Sequence, residues 1–204
     1  MEELQRGNYV MLRGAVPEPP RLSHKSRQEE FYQFPLEISR LSGTVDTIQI
    51  IARSALLEAL EPGGGSKLCV AGEVRSFNNK SGVGPRLVIT VFARELWFDD
   101  GEDENVIELR GALCKPPNLR VTPLGREICD LMLAVRRRYG RSDYLPCIAW
   151  GNCARAAARW DVGTAVWLTG RIQSRVYLKT EDGETVEKTA YEVSVIHIAP
   201  EEDT

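Results

Sequence analysis

No stretch of this 204-residue chain is apolar over the roughly 20 positions that a membrane-spanning helix requires. Histidine occurs only twice. His24 sits in a polar loop and His197 near the last strand, and neither has a cysteine or a paired acid at metal-ligand spacing. Surface or packing roles are therefore expected for both, with no metal and no cofactor. The five cysteines (Cys69, Cys114, Cys129, Cys147, Cys153) are odd in number and include no CxxC pair, which favours buried reduced thiols over zinc ligation or disulfides. No catalytic constellation stands out. Gly63-Gly64-Gly65-Ser66-Lys67 lacks the first glycine of a phosphate-binding loop and opens a strand instead of a helix. The chain is expected not to be an enzyme. Its polar, acidic start, MEELQRGNYVML, carries no signal-peptide pattern, so a cytoplasmic protein with no membrane partner is expected.

An excess of positive charge is also missing: the net charge is −3. Its distribution matters more than its sum for a polyanionic partner. Residues 1–98 hold 12 Lys/Arg against 11 Asp/Glu, whereas residues 99–104, DDGEDE, hold five acids and no base. Residues 105–199 hold 14 Lys/Arg against 10 Asp/Glu, and three acids follow in 200–204. The acidity is thus confined to a linker and a tail, and the second body is basic.

The chain repeats itself. NYVMLRGA, from Asn8, aligns with NVIELRGA, from Asn105, at an offset of 97. Pro19-Pro20 and Pro116-Pro117 follow at the same offset, as do Arg40 with Asp46 and Arg137 with Asp143; VAG at 70–72 matches LTG at 168–170 one residue later. Three anchors in order, almost without a gap, define two copies. The expected domains are 1–98 and 105–199, joined by the acidic linker 99–104 and followed by the tail 200–204. Period-2 patterning predicts strands near 8–16, 31–39, 46–52, 67–76 and 86–93, and again near 105–113, 126–135, 144–150, 164–177 and 188–198. Each copy has one helical stretch between its third and fourth strands, at 54–60 and 152–160, the latter rich in alanine. Five strands with a helix between the third and fourth is the element order of the oligonucleotide-binding (OB) fold. The fold class expected is therefore all-β, two tandem five-stranded OB barrels. The hairpin joining strands four and five is longer in the second copy, by roughly six residues, and long hairpins there commonly wrap a bound strand.

NVIELRGALCKPPNLRVTPLGREICDLMLAVRRRY, followed by IAWGNCARAAARWDVGTAVWLTGRIQSRVY, resembles the bacterial single-strand DNA-binding protein family over residues 105–198. Residues 8–93 resemble it more faintly. In that family four aromatic positions per domain stack on bases. The resemblance carries them onto Tyr139 at the end of strand two, Tyr144 opening strand three, Trp150 closing it and Tyr177 past strand four. All four are aromatic here, although the residue types differ in part from the usual ones, and a core role remains open for Trp150. In the first copy the same positions fall on Ser42, Thr47, Arg53 and Asn79, none aromatic, with only Phe77 nearby. That copy retains Arg40, Arg53, Arg75, Lys80 and Arg86, which suit phosphate contacts.

Basic residues interleave with the second copy's aromatics. Arg136, Arg137 and Arg138 precede Tyr139, and Arg171 and Arg175 precede Tyr177. Strand alternation puts Arg171, Gln173, Arg175 and Tyr177 on one face and splits the Arg136–Arg138 run between two. A solvated face is the plainer account of charge runs; their alternation with rings favours a nucleic-acid surface. The expected activity is sequence-tolerant binding of single-stranded DNA in replication, recombination or repair, with RNA a second candidate. The alternative is a protein-interaction module of the replication-restart type, favoured by the first copy's departure from the aromatic set. The family's disordered tail and acidic tip ending in Pro-Phe have no counterpart after APEEDT, which points away from a recruiting hub and toward strand coating or an accessory role. Because the family assembles four barrels and one chain supplies two, the resemblance implies a homodimer presenting four OB folds. The alternating first strands, Tyr9–Ala15 and Val106–Leu113, are candidates to pair across it.

Overall fold

The computed structural model describes residues 7–58, 60, 65–79, 87–137, 140–181 and 184–201. Its elements run β1 (Asn8–Ala15), β2 (Arg21–Ser26), β3 (Glu29–Ser39), β4 (Val45–Arg53), α1 (Ser54–Glu58), β5 (Lys67–Asn78) and β6 (Leu87–Phe98). They continue as β7 (Glu104–Leu113), β8 (Asn118–Val121), β9 (Glu127–Arg136), β10 (Ser142–Trp150), α2 (Gly151–Ala157), β11 (Ala165–Glu181) and β12 (Glu184–Pro200). Among the described residues no helix is long and apolar enough to cross a membrane.

The chain divides into two compact units. The first comprises Tyr9–Arg75 and Ile89–Val106; the second comprises Ile107–Thr204 with Met1–Asn8 and Ser76–Val88. In the first, the strand order β2-β3-β4-β6-β5-β1 returns on itself through a β1–β3 pair. In the second, β7-β11-β12-β10-β9-β8 returns through a β7–β9 pair. The β4–β6 and β10–β12 pairs are parallel, and the β1–β5, β3–β4, β7–β11, β9–β10 and β11–β12 pairs antiparallel. Each unit thus holds one strand more than the hydrophobic pattern indicates. The additional β2 and β8 are exposed along their whole length. A strand without a buried face has no alternation to display, so periodicity cannot reveal it. His24 consequently lies on β2, not in a loop.

Alternation places the cores. Leu12, Phe34, Leu36, Ile48, Ile50 and Leu68 are fully buried in the first unit, and Ile107, Leu109, Leu133, Leu145, Leu168 and Ile172 in the second. Gly14 and its repeat Gly111 lie beside the closing pairs. A side-chain carbon on Gly14 would collide with the Glu37 carbonyl, and one on Gly111 would stand 2.5 Å from that of Ala134. Only glycine permits strands to cross this closely.

The acidic segment is held by the first unit. Arg13 pairs with Asp99 at 3.0 Å and Glu104 at 3.4 Å and donates to the Glu102 carbonyl at 2.9 Å. Asp103 receives Lys67 at 2.8 Å and the Ser39 N–H at 2.6 Å. Burial pushes the Asp103 carboxyl up, but these partners outweigh it and hold it below its ordinary value. The local charge that looks like a linker in sequence is therefore largely met by partners. All five cysteines are free thiols, Cys69, Cys129 and Cys147 buried; burial pushes the Cys147 thiol far up.

Candidate nucleic-acid interface

The second unit's sheet gathers the aromatic and basic residues onto one face. On β10 the inward positions are Asp143, Leu145, Cys147 and Ala149, so Tyr144, Pro146, Ile148 and Trp150 point outward. Tyr144 is 52 % exposed and Trp150 40 %, which places Trp150 on the surface and not in the core. They lie six residues apart, about 20 Å along an extended strand. The register carries this face sideways. Ile148 stands beside Ser194 of β12, and Ser194 opposite Arg171 of β11. Gln173, Arg175 and Tyr177 follow Arg171 on the same face, opposite Glu192, Ala190 and Lys188. Ile172, facing the other way, is buried against the core with Val193. Tyr144, Trp150, Arg171, Arg175 and Tyr177 therefore share one continuous outer surface. Arg171 and Arg175 are exposed, and the Arg175 guanidinium lies 5.7 Å from the Tyr177 ring centre, within cation–π range. Tyr139 and Arg138 lie outside the described residues, as do Lys80 and Arg86.

Arg137 and Arg40 do different work from the phosphate contact the sequence suggests. Both turn onto a buried aspartate six residues on. Arg40 reaches Asp46 through Nε at 2.7 Å and Nη2 at 2.5 Å. Arg137 reaches Asp143 through Nε at 2.5 Å and again through Nη2, which also donates to the Ser76 carbonyl at 2.8 Å. Ser76 groups with the second unit. Its N–H donates to Asp143 and its hydroxyl accepts the Tyr144 N–H at 2.8 Å. The repeated Arg–Asp spacing thus encodes a fork that closes the turn between two strands and, in the second unit, fixes the backbone next to Tyr144. Arg75 likewise donates to Glu73, which also takes Arg94 at 3.1 Å. Arg53, Phe77 and Asn79 remain at the first copy's strand ends. Phe77 is exposed, and Arg53 lies 3.5 Å from Glu29.

Sequence reasoning missed the first unit's own rings. His24 stacks on Phe31 with centroids 4.8 Å apart and planes 7° apart. Phe31 lies 6.1 Å from Phe92, and Arg94 and Arg53 approach the Phe92 ring to 4.9 and 5.9 Å. None of these rings occupies a position that the family alignment marks. Two stand beside one instead: Phe31 pairs with Arg53, and Phe92 follows on the adjoining strand. Among the described residues no group of His, Cys, Asp and Glu is arranged to hold a metal ion.

Comparison with known proteins bears on this surface. The profile of the "Single-strand binding protein family" matches residues 104–199. The chain is 35 % identical over 89 residues to "Single-stranded DNA-binding protein 2" of Listeria innocua, a match covering 40 % of this chain and 55 % of that protein. It thus spans about half the length of that relative. The same identity over 89 residues relates it to "Single-stranded DNA-binding protein B" of Bacillus subtilis, again 40 % of this chain but 78 % of the relative. The crystal structure of wild-type single-stranded DNA binding protein from Thermus aquaticus superposes with a TM-score of 0.78 at 19 % identity, covering 97 % of this chain and 94 % of that one. That likeness extends the all-β fold over both copies. With the second copy matched by the family profile and 78 % of a curated relative covered at 35 % identity, the chain belongs to the single-strand binding protein family.

Proposed function

We propose that this chain binds single-stranded DNA along the outer face of its second unit, without base-sequence preference and without catalysis. One observation carries the reading: the strand register aligns Tyr144, Trp150, Arg171, Arg175 and Tyr177 on a single solvent-facing surface. Rings stack on any base, and guanidiniums neutralise phosphates wherever the backbone passes. The absence of a catalytic role accords with the family. In the finer architecture we propose, each copy is a five-stranded OB barrel with a short helix between its third and fourth barrel strands, β2 and β8 being additions outside the barrel. The closing β1–β3 and β7–β9 pairs support this. The domain limits proposed are 1–98 and 105–199, and the processes served are replication, recombination or repair.

Titration of a labelled oligothymidine against the full chain tests the activity. Single-stranded oligomer should bind far better than a duplex of the same length, and log affinity should fall with log salt by about 0.7 for each phosphate neutralised. Equal affinity for duplex and single strand, or no salt dependence, overturns it.

We further propose that two chains associate and so present four OB folds. Val176 and Leu178 support this. They continue the inward-facing row of β11 beyond Ile172, yet both are exposed, and an uncovered apolar row on a long hairpin suits a protein interface. Light scattering at low micromolar concentration should give twice the 22.8 kDa chain mass. A single-chain mass that does not rise with concentration removes the dimer.

A further inference from the structure

The first unit has no aromatic residue at the family's stacking positions, yet one row of its outer face is built from rings and guanidiniums. The row crosses four strands. His24 on β2 pairs with Phe31 on β3, and Phe31 with Arg53 on β4. Ile51, two residues before Arg53, stands beside Phe92 on β6, and Arg94 follows on the same face. Phe31 is itself buried, only 9 % exposed, and forms the inner end of the stack; His24 and Phe92 are more open, and the inner face of the same strands is filled by Phe34, Leu36, Ile48, Ile50 and Val91.

The repeat shows where the rings have gone. At the offset of 97, Arg53 corresponds to Trp150 and Phe31 to Ile128, its neighbour in the second unit. The Ile51–Phe92 and Ile148–Ser194 pairs make Phe92 the counterpart of Ser194. In the second unit the ring sits at the strand end between aliphatic or small neighbours. In the first the strand end carries a cation, and the neighbouring strands carry the rings. The surface remains a cation-and-ring row with its members exchanged.

We propose that this row, His24–Phe31–Arg53–Phe92–Arg94, is a second contact for single-stranded nucleic acid. One base extends the Phe31–His24 stack on the exposed face of His24. A neighbouring base packs on Phe92, and the backbone phosphates meet Arg53 and Arg94. The histidine ring already lies parallel to Phe31, so a base added to it completes a three-ring column without rearrangement. Charge is compatible. Among the described residues the ion pair of Arg53 is a long, half-exposed one with Glu29, at 3.5 Å, which a phosphate can replace. Arg94 is exposed and shares its Glu73 partner with Arg75. Past this row the same outer face opens into a groove of about 440 Å³ lined by Leu22, Gln33, Pro35, Thr47 and Gln49, which gives a strand room to continue. This inference rests on the reading of the second unit as the primary site, because it supposes a strand long enough to extend beyond that site.

The test uses the full chain with two oligothymidines, of about 10 and about 35 nucleotides, within and beyond what one such fold covers. The paired substitution His24→Ala and Phe92→Leu should weaken the longer oligomer about tenfold and leave the shorter unchanged. A longer oligomer bearing 5-iodouracil, irradiated on the unaltered protein, should crosslink to the peptides containing His24 or Phe92 as well as to β10; this arm does not depend on how the variant folds. Crosslinks confined to β10, with the longer oligomer's affinity unaltered by the substitutions, overturn the second contact and leave the primary site standing. Failure of the unaltered protein to bind either oligomer overturns both.

Discussion

Replacing Asp143 with alanine should lower the free energy of unfolding by about 3–5 kcal/mol. The carboxylate is completely buried and receives the Arg137 fork and the Ser76 N–H. Its removal leaves a guanidinium only 23 % exposed, without its counter-ion, together with a backbone donor that has lost its acceptor. The partial exposure of Arg137 puts the expected loss toward the lower end of the range. Asp143→Asn should cost less, because an amide oxygen still accepts one of these bonds. The urea midpoint, followed by circular dichroism, reads the difference. A loss below about 1 kcal/mol, the value of an exposed pair, would show that the fork is solvated and does not secure the turn. The first copy's counterpart, Arg40 with Asp46, has the same bidentate form and a carboxylate only 2 % exposed, so Asp46→Ala should behave alike.

This fork shows what was legible in the sequence and what was not. The Arg-x5-Asp spacing was visible as a repeat anchor, but the identity of two residues does not reveal that they bond to each other. Arg40 and Arg137 therefore read as cations available to phosphate. The ten core strands and both helices were legible, because buried faces impose alternation and alanine favours the helix. Boundaries shifted where the signal was weak. β12 begins at Glu184, since the polar end of the long β11–β12 hairpin carries no alternation, and β6 runs on to Phe98 past Ala93, where its buried alternation ends. β2 and β8 were illegible for the same reason. The face shared by Tyr144, Trp150 and Arg171 depends on the parallel β10–β12 register, which joins residues far apart in the chain and has no local signature. The His24–Phe31–Phe92 row was hidden still more deeply: three rings from three strands become neighbours only once the sheet is assembled.

The larger functional effect is expected at the paired rings of β10. The double substitution Tyr144→Ala and Trp150→Ala should weaken oligothymidine binding by about 2–6 kcal/mol, from about 1–3 kcal/mol for each base that loses its platform. Both side chains project from the outer face while Leu145, Cys147 and Ala149 fill the core, so the loss should appear in affinity with little change in the unfolding midpoint. Ser42→Ala and Thr47→Ala, at the first copy's counterparts of Tyr139 and Tyr144, should alter binding by less than about 0.5 kcal/mol, as surface substitutions usually do. Comparable losses from the two copies would show that the aromatic positions have been carried over wrongly.

A bound single strand is expected to lie across Trp150. The most direct measurement is the tryptophan fluorescence of the unaltered protein and of Trp150→Phe, each titrated with oligothymidine while anisotropy of the labelled oligomer records binding. Phenylalanine still stacks, so both proteins should bind. The saturable quenching seen with the unaltered protein should largely disappear in the variant, leaving only what Trp97, Trp160 and Trp167 contribute. Equal quenching in the two proteins at matched occupancy would place the strand elsewhere than on Trp150.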